Sequence, residues 1–176
     1  MAGVQYHIQK YASIARLVAD ASAYADPAVP GRMEYGASSG RRCSVQHIPK
    51  TKHSAALFSA LEAAFSEINA TYGFDISEIG EPLQLISYEV AEHISWHIDG
   101  GIGAGERRKI SLSLQLTEGD EYAGGDLEFA DGTCHPFART LGAITAFPSL
   151  LAHRVTPITA GSRQVLVAWM HGAPFR

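Results

Sequence analysis

The chain has 176 residues, of which 46% are hydrophobic and 18% charged, and its formal net charge is -4. These values predict one soluble globular domain over residues 1–176, and they argue against a nucleic-acid partner, which usually requires a basic face. Cys43 and Cys134 form no CxxC pattern, so we expect no disulfide and a reducing cytoplasm. No signal-peptide pattern opens the chain, and no stretch reaches the roughly 18 apolar residues of a membrane span, so no membrane partner is expected.

The first forty-eight residues predict a helix, a loop and a strand, in that order. Residues 9–24 place apolar side chains at helical spacing among many alanines. Residues 25–40 are rich in Gly, Pro and Ser, which favours a loop. Residues 41–48 contain β-compatible side chains and are predicted to form a strand.

A second helix is predicted over residues 53–71. Ser54 is the expected N-cap, and Gly73 is the expected C-terminal stop. The expected buried face consists of apolar residues at helical spacing: Leu57, Leu61, Ala64, Phe65 and Ile68.

The rest of the chain changes to short β segments separated by Gly, Asp, Pro or Ser clusters. Short strands at this spacing predict a sandwich or barrel, with the two helices packed on it. The predicted segments are residues 83–90, 94–99, 109–116, 125–130, 142–147, 153–158 and 163–170.

The stretch SWHIDGG, residues 95–101, places an imidazole and a carboxylate two positions apart. Because residues i and i+2 of a strand share a face, His97 and Asp99 should project together, while Trp96 and Ile98 face the other way. One imidazole and one carboxylate leave a metal site short of ligands. His153, at the start of a later β segment, is the best candidate for a third ligand. A redox iron site would keep its remaining positions open.

Arg163 follows His153 by ten residues and shares a strand face with Val165, Val167 and Trp169. The two valines indicate that this face is buried. A buried guanidinium is costly unless an anion pairs with it, and no acidic residue lies nearby in the sequence. The expected anion therefore belongs to a ligand.

These residues resemble the Fe(II)/2-oxoglutarate-dependent dioxygenases, in their prolyl 4-hydroxylase-like branch. The resemblance covers residues 82–172 and includes the runs LQLISYEVAEHISWHID, EYAGGDLEF and HRVTP. It implies a mainly β fold with supporting helices (α+β). The expected core is a double-stranded β-helix (jelly roll, cupin-like) at about residues 81–172, with helical support at about residues 1–80.

The resemblance also implies roles for single residues. His97, Asp99 and His153 become the iron ligands, and Arg163 binds the C5 carboxylate of 2-oxoglutarate. The remaining expected cosubstrate-binding residues are Tyr88, Gln115, Val155 and Trp169. Gln115 stands where some relatives have a tyrosine. The implied cofactors are Fe(II), the cosubstrate 2-oxoglutarate and O2, with ascorbate as a stimulant.

Three functional interpretations stay open at this stage. The first is hydroxylation of a prolyl residue in a peptide or protein, or of free proline. The second is oxidation of another small metabolite or of an alkylated base. The third is a non-catalytic cupin-like metal-binding domain. For the enzymatic interpretations, residues 31–42, with three glycines and Tyr35, are expected to form a loop that closes over the substrate.

Overall fold

A computed structural model gives the fold and describes residues 5–7, 12–27, 29–35, 38–101, 105–132 and 139–174. The helices of these residues are α1 (Ala12–Ser22) and α2 (Ala55–Tyr72). The strands are β1 (Gln5–His7), β2 (Val29–Tyr35), β3 (Ser38–Ile48), β4 (Ile76–Ile79), β5 (Leu83–Tyr88), β6 (His93–His97), β7 (Arg108–Gln115), β8 (Tyr122–Gly124), β9 (Leu127–Phe129), β10 (Ile144–Pro148), β11 (His153–Val155), β12 (Ile158–Gly161) and β13 (Arg163–Gly172).

Most of the strands join one antiparallel sheet in the order β1-β10-β7-β13-β5-β3-β6-β11-β9. Strand β2 pairs with β3, strand β4 pairs with β13, and β8 and β12 form a separate pair. Residues of β5, β7 and β13 line the same cavity as residues of β6 and β11. The sheet is therefore curled, so that strands far apart in the pairing order face one another.

Strand β13 shows how the two faces of the curled sheet differ. Leu166, Ala168 and Met170 pack into the apolar cluster that includes both helices. The alternate residues face the internal cavity, as strand parity predicts: Arg163, Val165, Val167 and Trp169. One strand therefore anchors the helical layer on one face and lines the cavity on the other.

Helix α2 confirms the predicted second helix. Its predicted apolar face is buried, and the helix ends at Gly73, which has a φ of +67° and whose N–H donates a hydrogen bond of 2.7 Å to the Asn69 carbonyl. The prediction that Ser54 is the N-cap residue of this helix is confirmed. The Ser54 hydroxyl donates to the Pro49 carbonyl at 2.6 Å and caps no helical N–H, because the preceding turn engages it. Neither described helix is long and apolar enough to cross a membrane.

The first predicted helix is shorter than expected, since α1 spans Ala12–Ser22 and residues 9–11 lie outside the described residues. The loop predicted over residues 25–40 was wrong, because β2 pairs with β3 across most of it. Cross-strand pairing overrides the Gly and Pro content here. Pro30 is tolerated because, among the described strands, β2 pairs on one side only, with β3.

Candidate metal centre

His97 and His153 come together because their strands pair. Strands β6 and β11 are antiparallel neighbours in which His97 lies opposite His153, and their ring centroids are 4.2 Å apart. Each ring is held by a backbone carbonyl: His97 Nδ1 lies 2.9 Å from the Ser95 oxygen, and His153 Nδ1 lies 2.9 Å from the Leu151 oxygen. These contacts leave Nε2 of both rings facing the same point.

Asp99 lies just beyond the end of β6, and its carboxylate faces both imidazoles. Oδ1 is 3.6 Å from His97 Nε2, and Oδ2 is 3.6 Å from His153 Nε2. Backbone hydrogen bonds fix the position of Asp99, because the N–H groups of Asp99 and Gly100 both donate to the Ser149 carbonyl, at 3.0 and 2.7 Å. Oδ2 also accepts a hydrogen bond of 2.6 Å from the Ser111 hydroxyl.

The protonation of these groups suits metal binding. Burial alone would raise the pKa of Asp99, but His97, His153 and Ser111 outweigh it and hold the pKa well below its usual range. Burial is the main cause that lowers the pKa of His153. A charged carboxylate and a neutral imidazole are the forms that ligate metals.

One ligand atom from each of His97, Asp99 and His153 lies within 4.8 Å of the others. Two imidazole nitrogens and one carboxylate suit Fe(II), and three protein ligands leave coordination positions open. The indole N–H of Trp169 is buried and forms no hydrogen bond of ordinary geometry to a described residue, but it lies close enough to the Asp99 carboxylate to help lower the pKa of that group. Trp169 also lines the same cavity. The residues present therefore fit an iron centre.

The cavity beside these three residues measures about 60 Å³. One water needs roughly 10–15 Å³ on such a measure, so the cavity has room for a small ligand. The cavity is lined by the three candidate metal ligands and by four of the predicted cosubstrate-binding residues: Tyr88, Val155, Arg163 and Trp169. The fold thus brings most of the predicted site residues to one space.

Arg163 is only 3% exposed, and the described residues include no acidic partner for it. Its Nε donates to Gln115 Oε1 at 3.1 Å, and its guanidinium lies 5.8 Å from the Tyr88 ring centroid. Gln115 Nε2 in turn donates to the Tyr122 hydroxyl at 3.1 Å. Gln115 is not among the described lining residues of the cavity. Instead, Gln115 contacts the cavity through Arg163, which does line it.

Several polar residues of the site lack a local signal in the sequence. Ser111 and Ser149 contact Asp99 from β7 and from the turn before β11. Arg41 and Gln84 line the cavity from β3 and β5. The only signal available was strand alternation, which places Gln84, Ile86 and Tyr88 on one face of β5.

Residues 83–171, just over half of the chain, match the sequence profile of the 2OG-Fe(II) oxygenase superfamily. The chain therefore belongs to this superfamily. A PKHD-type hydroxylase from Acaryochloris marina is 38% identical over 76 residues, which cover 42% of this chain and 34% of the relative. The chain spans between about a third and just over half of the length of the curated relatives it matches.

Two solved structures share the fold. A prolyl-4-hydroxylase from Pseudomonas putida matches with a TM-score of 0.69 at 21% identity, over 97% of this chain and 93% of that chain. An oxidoreductase of the 2OG-Fe(II) oxygenase family from Burkholderia pseudomallei matches with a TM-score of 0.72 at 18% identity, over 99% and 89%. The predicted mainly β jelly-roll fold and the prolyl 4-hydroxylase-like resemblance are confirmed. The roles of the single site residues stay predictions.

Proposed function

We propose that the protein is an Fe(II)- and 2-oxoglutarate-dependent dioxygenase that hydroxylates a C–H bond. One observation carries the proposal: the donor atoms of His97, Asp99 and His153 converge on the wall of a cavity that also contains the buried Arg163. A metal centre and an anion-binding group therefore share one small space.

In this proposal His97, Asp99 and His153 hold the iron. The carbonyls of Ser95 and Leu151 fix the two rings, and Ser111 orients the carboxylate. Bound iron and 2-oxoglutarate would supply oxidative decarboxylation with O2 as the oxidant, in which one oxygen atom enters the succinate formed with CO2 from the keto acid and the other enters the hydroxyl group of the substrate. The protein supplies position and a cavity with little room for water.

Arg163 is proposed to bind the C5 carboxylate of 2-oxoglutarate. A guanidinium buried this deeply requires an anion, and a carboxylate can accept two of its N–H groups. The hydrogen bond to Gln115 fixes the Arg163 guanidinium, and Tyr88, Val155 and Trp169 line the cavity beside it. Arg163 thus gives the keto acid one orientation relative to the three metal ligands.

The proposed primary substrate is a prolyl residue of a peptide or protein, or free proline, in line with the name of the Pseudomonas putida prolyl-4-hydroxylase that shares the fold. We propose the cytoplasm as the compartment and ascorbate as a stimulant. The loop expected over residues 31–42 is wrong as a loop, because β2 and β3 cover these residues apart from 36 and 37, which lie outside the described residues. The closure of this segment over the substrate stays a proposal. A non-catalytic metal-binding domain is disfavoured, because it leaves the buried Arg163 without a purpose.

The test is succinate release from 2-oxoglutarate by the wild type, Asp99→Ala and the control Asp120→Ala, which alters an exposed carboxylate. We expect iron-dependent release in the wild type and the control, and loss of release in Asp99→Ala. Equal release from all three proteins would contradict the proposal, and so would no release from an iron-loaded wild type.

A further inference from the structure

Three buried polar side chains form a hydrogen-bonded chain that extends from the cavity wall into the protein: Arg163, Gln115 and Tyr122. Arg163 Nε donates to Gln115 Oε1 at 3.1 Å, and Gln115 Nε2 donates to the Tyr122 hydroxyl at 3.1 Å. Of the three, only Arg163 is among the described residues that line the cavity. The chain therefore connects the proposed cosubstrate-binding guanidinium to two residues that lie outside the cavity wall.

The amide of Gln115 has one favourable orientation. Its Nε2 group donates to the Thr117 carbonyl at 2.8 Å as well as to the Tyr122 hydroxyl. In a glutamine amide the nitrogen only donates and the oxygen only accepts. Rotating this amide by half a turn would therefore bring Oε1 to the Thr117 carbonyl and Nε2 to the Arg163 N–H, and these hydrogen bonds would be lost. The Thr117 carbonyl and the Tyr122 hydroxyl thus keep an acceptor, Oε1, in front of Arg163.

Tyr122 is itself held in place by its neighbours. Arg139 donates to the Tyr122 carbonyl at 2.7 Å, and its Cζ lies 4.0 Å from the centroid of the Tyr122 ring. A Cβ placed on Gly125 would lie 3.4 Å from both Arg163 Cδ and Tyr122 Cε2, so the arginine stem and the tyrosine ring approach the same piece of backbone. Packing as well as hydrogen bonds therefore fixes Tyr122 relative to Arg163.

The bond to Gln115 decides which N–H groups of Arg163 are open to a ligand. A carboxylate can accept two parallel hydrogen bonds from a guanidinium, either from Nε and one Nη or from both Nη groups. Gln115 occupies Nε, and neither Nη1 nor Nη2 of Arg163 forms a hydrogen bond to a described residue. The second mode, in which the carboxylate meets the end of the guanidinium, is therefore the one left for a ligand.

We propose that Gln115 and Tyr122 determine the chain length of the cosubstrate by restricting Arg163 to this end-on mode. The inference rests on the proposed function and deepens it. A 2-oxo acid must extend from the three metal ligands to the Nη groups of Arg163, so one more methylene misplaces one of its two ends. An extra methylene usually costs about 10- to 200-fold in a fitted pocket. Gln115 acts through Arg163, and Tyr122 acts through Gln115, so both are positioning residues.

The test measures dissociation constants by anaerobic calorimetry on the Fe(II)-loaded protein, so it requires no turnover. Three acids are compared: 2-oxoglutarate, 2-oxoadipate, which has one more methylene, and 2-oxopentanoate, which lacks the far carboxylate. The proteins are the wild type, Gln115→Leu, Tyr122→Phe and the matched control Gln164→Leu, whose side chain lies on the other face of β13.

We expect the wild type and the control to prefer 2-oxoglutarate to 2-oxoadipate about 10- to 200-fold. Gln115→Leu frees Nε of Arg163 and should reduce this preference about tenfold. Tyr122→Phe should reduce it by a smaller factor, because the Thr117 carbonyl still holds the Gln115 amide.

Residues that only support the fold would change both dissociation constants by the same factor, so a preference that survives in both variants would overturn the inference. A preference unchanged in Tyr122→Phe alone would overturn the role of Tyr122, and this variant keeps the test decisive if Gln115→Leu folds poorly. A wild type that binds 2-oxoadipate as tightly as 2-oxoglutarate, but 2-oxopentanoate more weakly, overturns this inference alone. Equal binding of 2-oxoglutarate and 2-oxopentanoate overturns the proposed role of Arg163 as well.

Discussion

Replacing Ser111 by alanine should weaken metal binding without removing a ligand. Ser111 is 1% exposed, and its hydroxyl donates to Asp99 Oδ2 at 2.6 Å. Its loss leaves a buried carboxylate with one hydrogen bond fewer and a less fixed orientation. A hydrogen bond to a charged group contributes about 1.5–3 kcal/mol. At about 1.4 kcal/mol for each factor of ten, metal affinity should fall about 10- to 100-fold, the range usual for residues that orient metal ligands.

The assay is anaerobic titration with Co(II), a spectroscopic substitute for Fe(II), followed by its visible absorption. Ser113→Ala is the matched control, because Ser113 lies on the same strand and lines the same cavity but has no described bond to Asp99. Melting curves of both variants verify that they fold. Ser111→Ala affinity within about twofold of the control would refute the reasoning, because the hydroxyl would then contribute nothing to the carboxylate's position.

Three further predictions concern stability. The free energy of unfolding of the metal-free protein should fall as the pH drops below about 4, because the pKa of Asp99 is lower in the folded than in the unfolded protein. In urea denaturation at a series of pH values, Asp99→Asn should lose less stability over this acid range than the wild type. An unchanged profile would contradict this. Gly124→Ala should cost about 1–3 kcal/mol in the same assay, because φ is +71° and an added Cβ would clash with the Pro157 carbonyl oxygen. A neutral effect would contradict the close approach of β8 to the residues before β12. Leu61→Ala should cost about 2–5 kcal/mol, since Leu61 is fully buried between helix and sheet, and a loss below 1 kcal/mol would count against that packing.

The parts of the site that follow local rules were predictable. The spacing of His97 and Asp99 indicates a shared direction, and the parity of β13 places Arg163 and Trp169 on the cavity face. Helix α2 was predictable because its apolar face repeats at helical spacing over most of its length.

The remaining parts depend on which strands meet, and no local pattern encodes that. Ser111 reaches Asp99 only because β7 faces the end of β6 across the curled sheet. Arg41 reaches Gln84 only because β3 pairs with both β5 and β6. The β2–β3 hairpin was missed for a related reason, since its pairing stabilises a segment whose composition favours a loop.

The central claim is that iron and 2-oxoglutarate bind together, with Arg163 holding the far carboxylate. Anaerobic addition of Fe(II) and 2-oxoglutarate, scanned in visible absorbance, tests it most directly, because chelation of a 2-oxo acid to Fe(II) gives a weak band that iron binding alone does not. The account predicts this band in the wild type and in the exposed-site control Arg42→Ala, and a weaker band in Arg163→Ala at the same cosubstrate concentration. A wild type that contains iron at the site but shows no band, or an Arg163→Ala variant with an undiminished band, would contradict it.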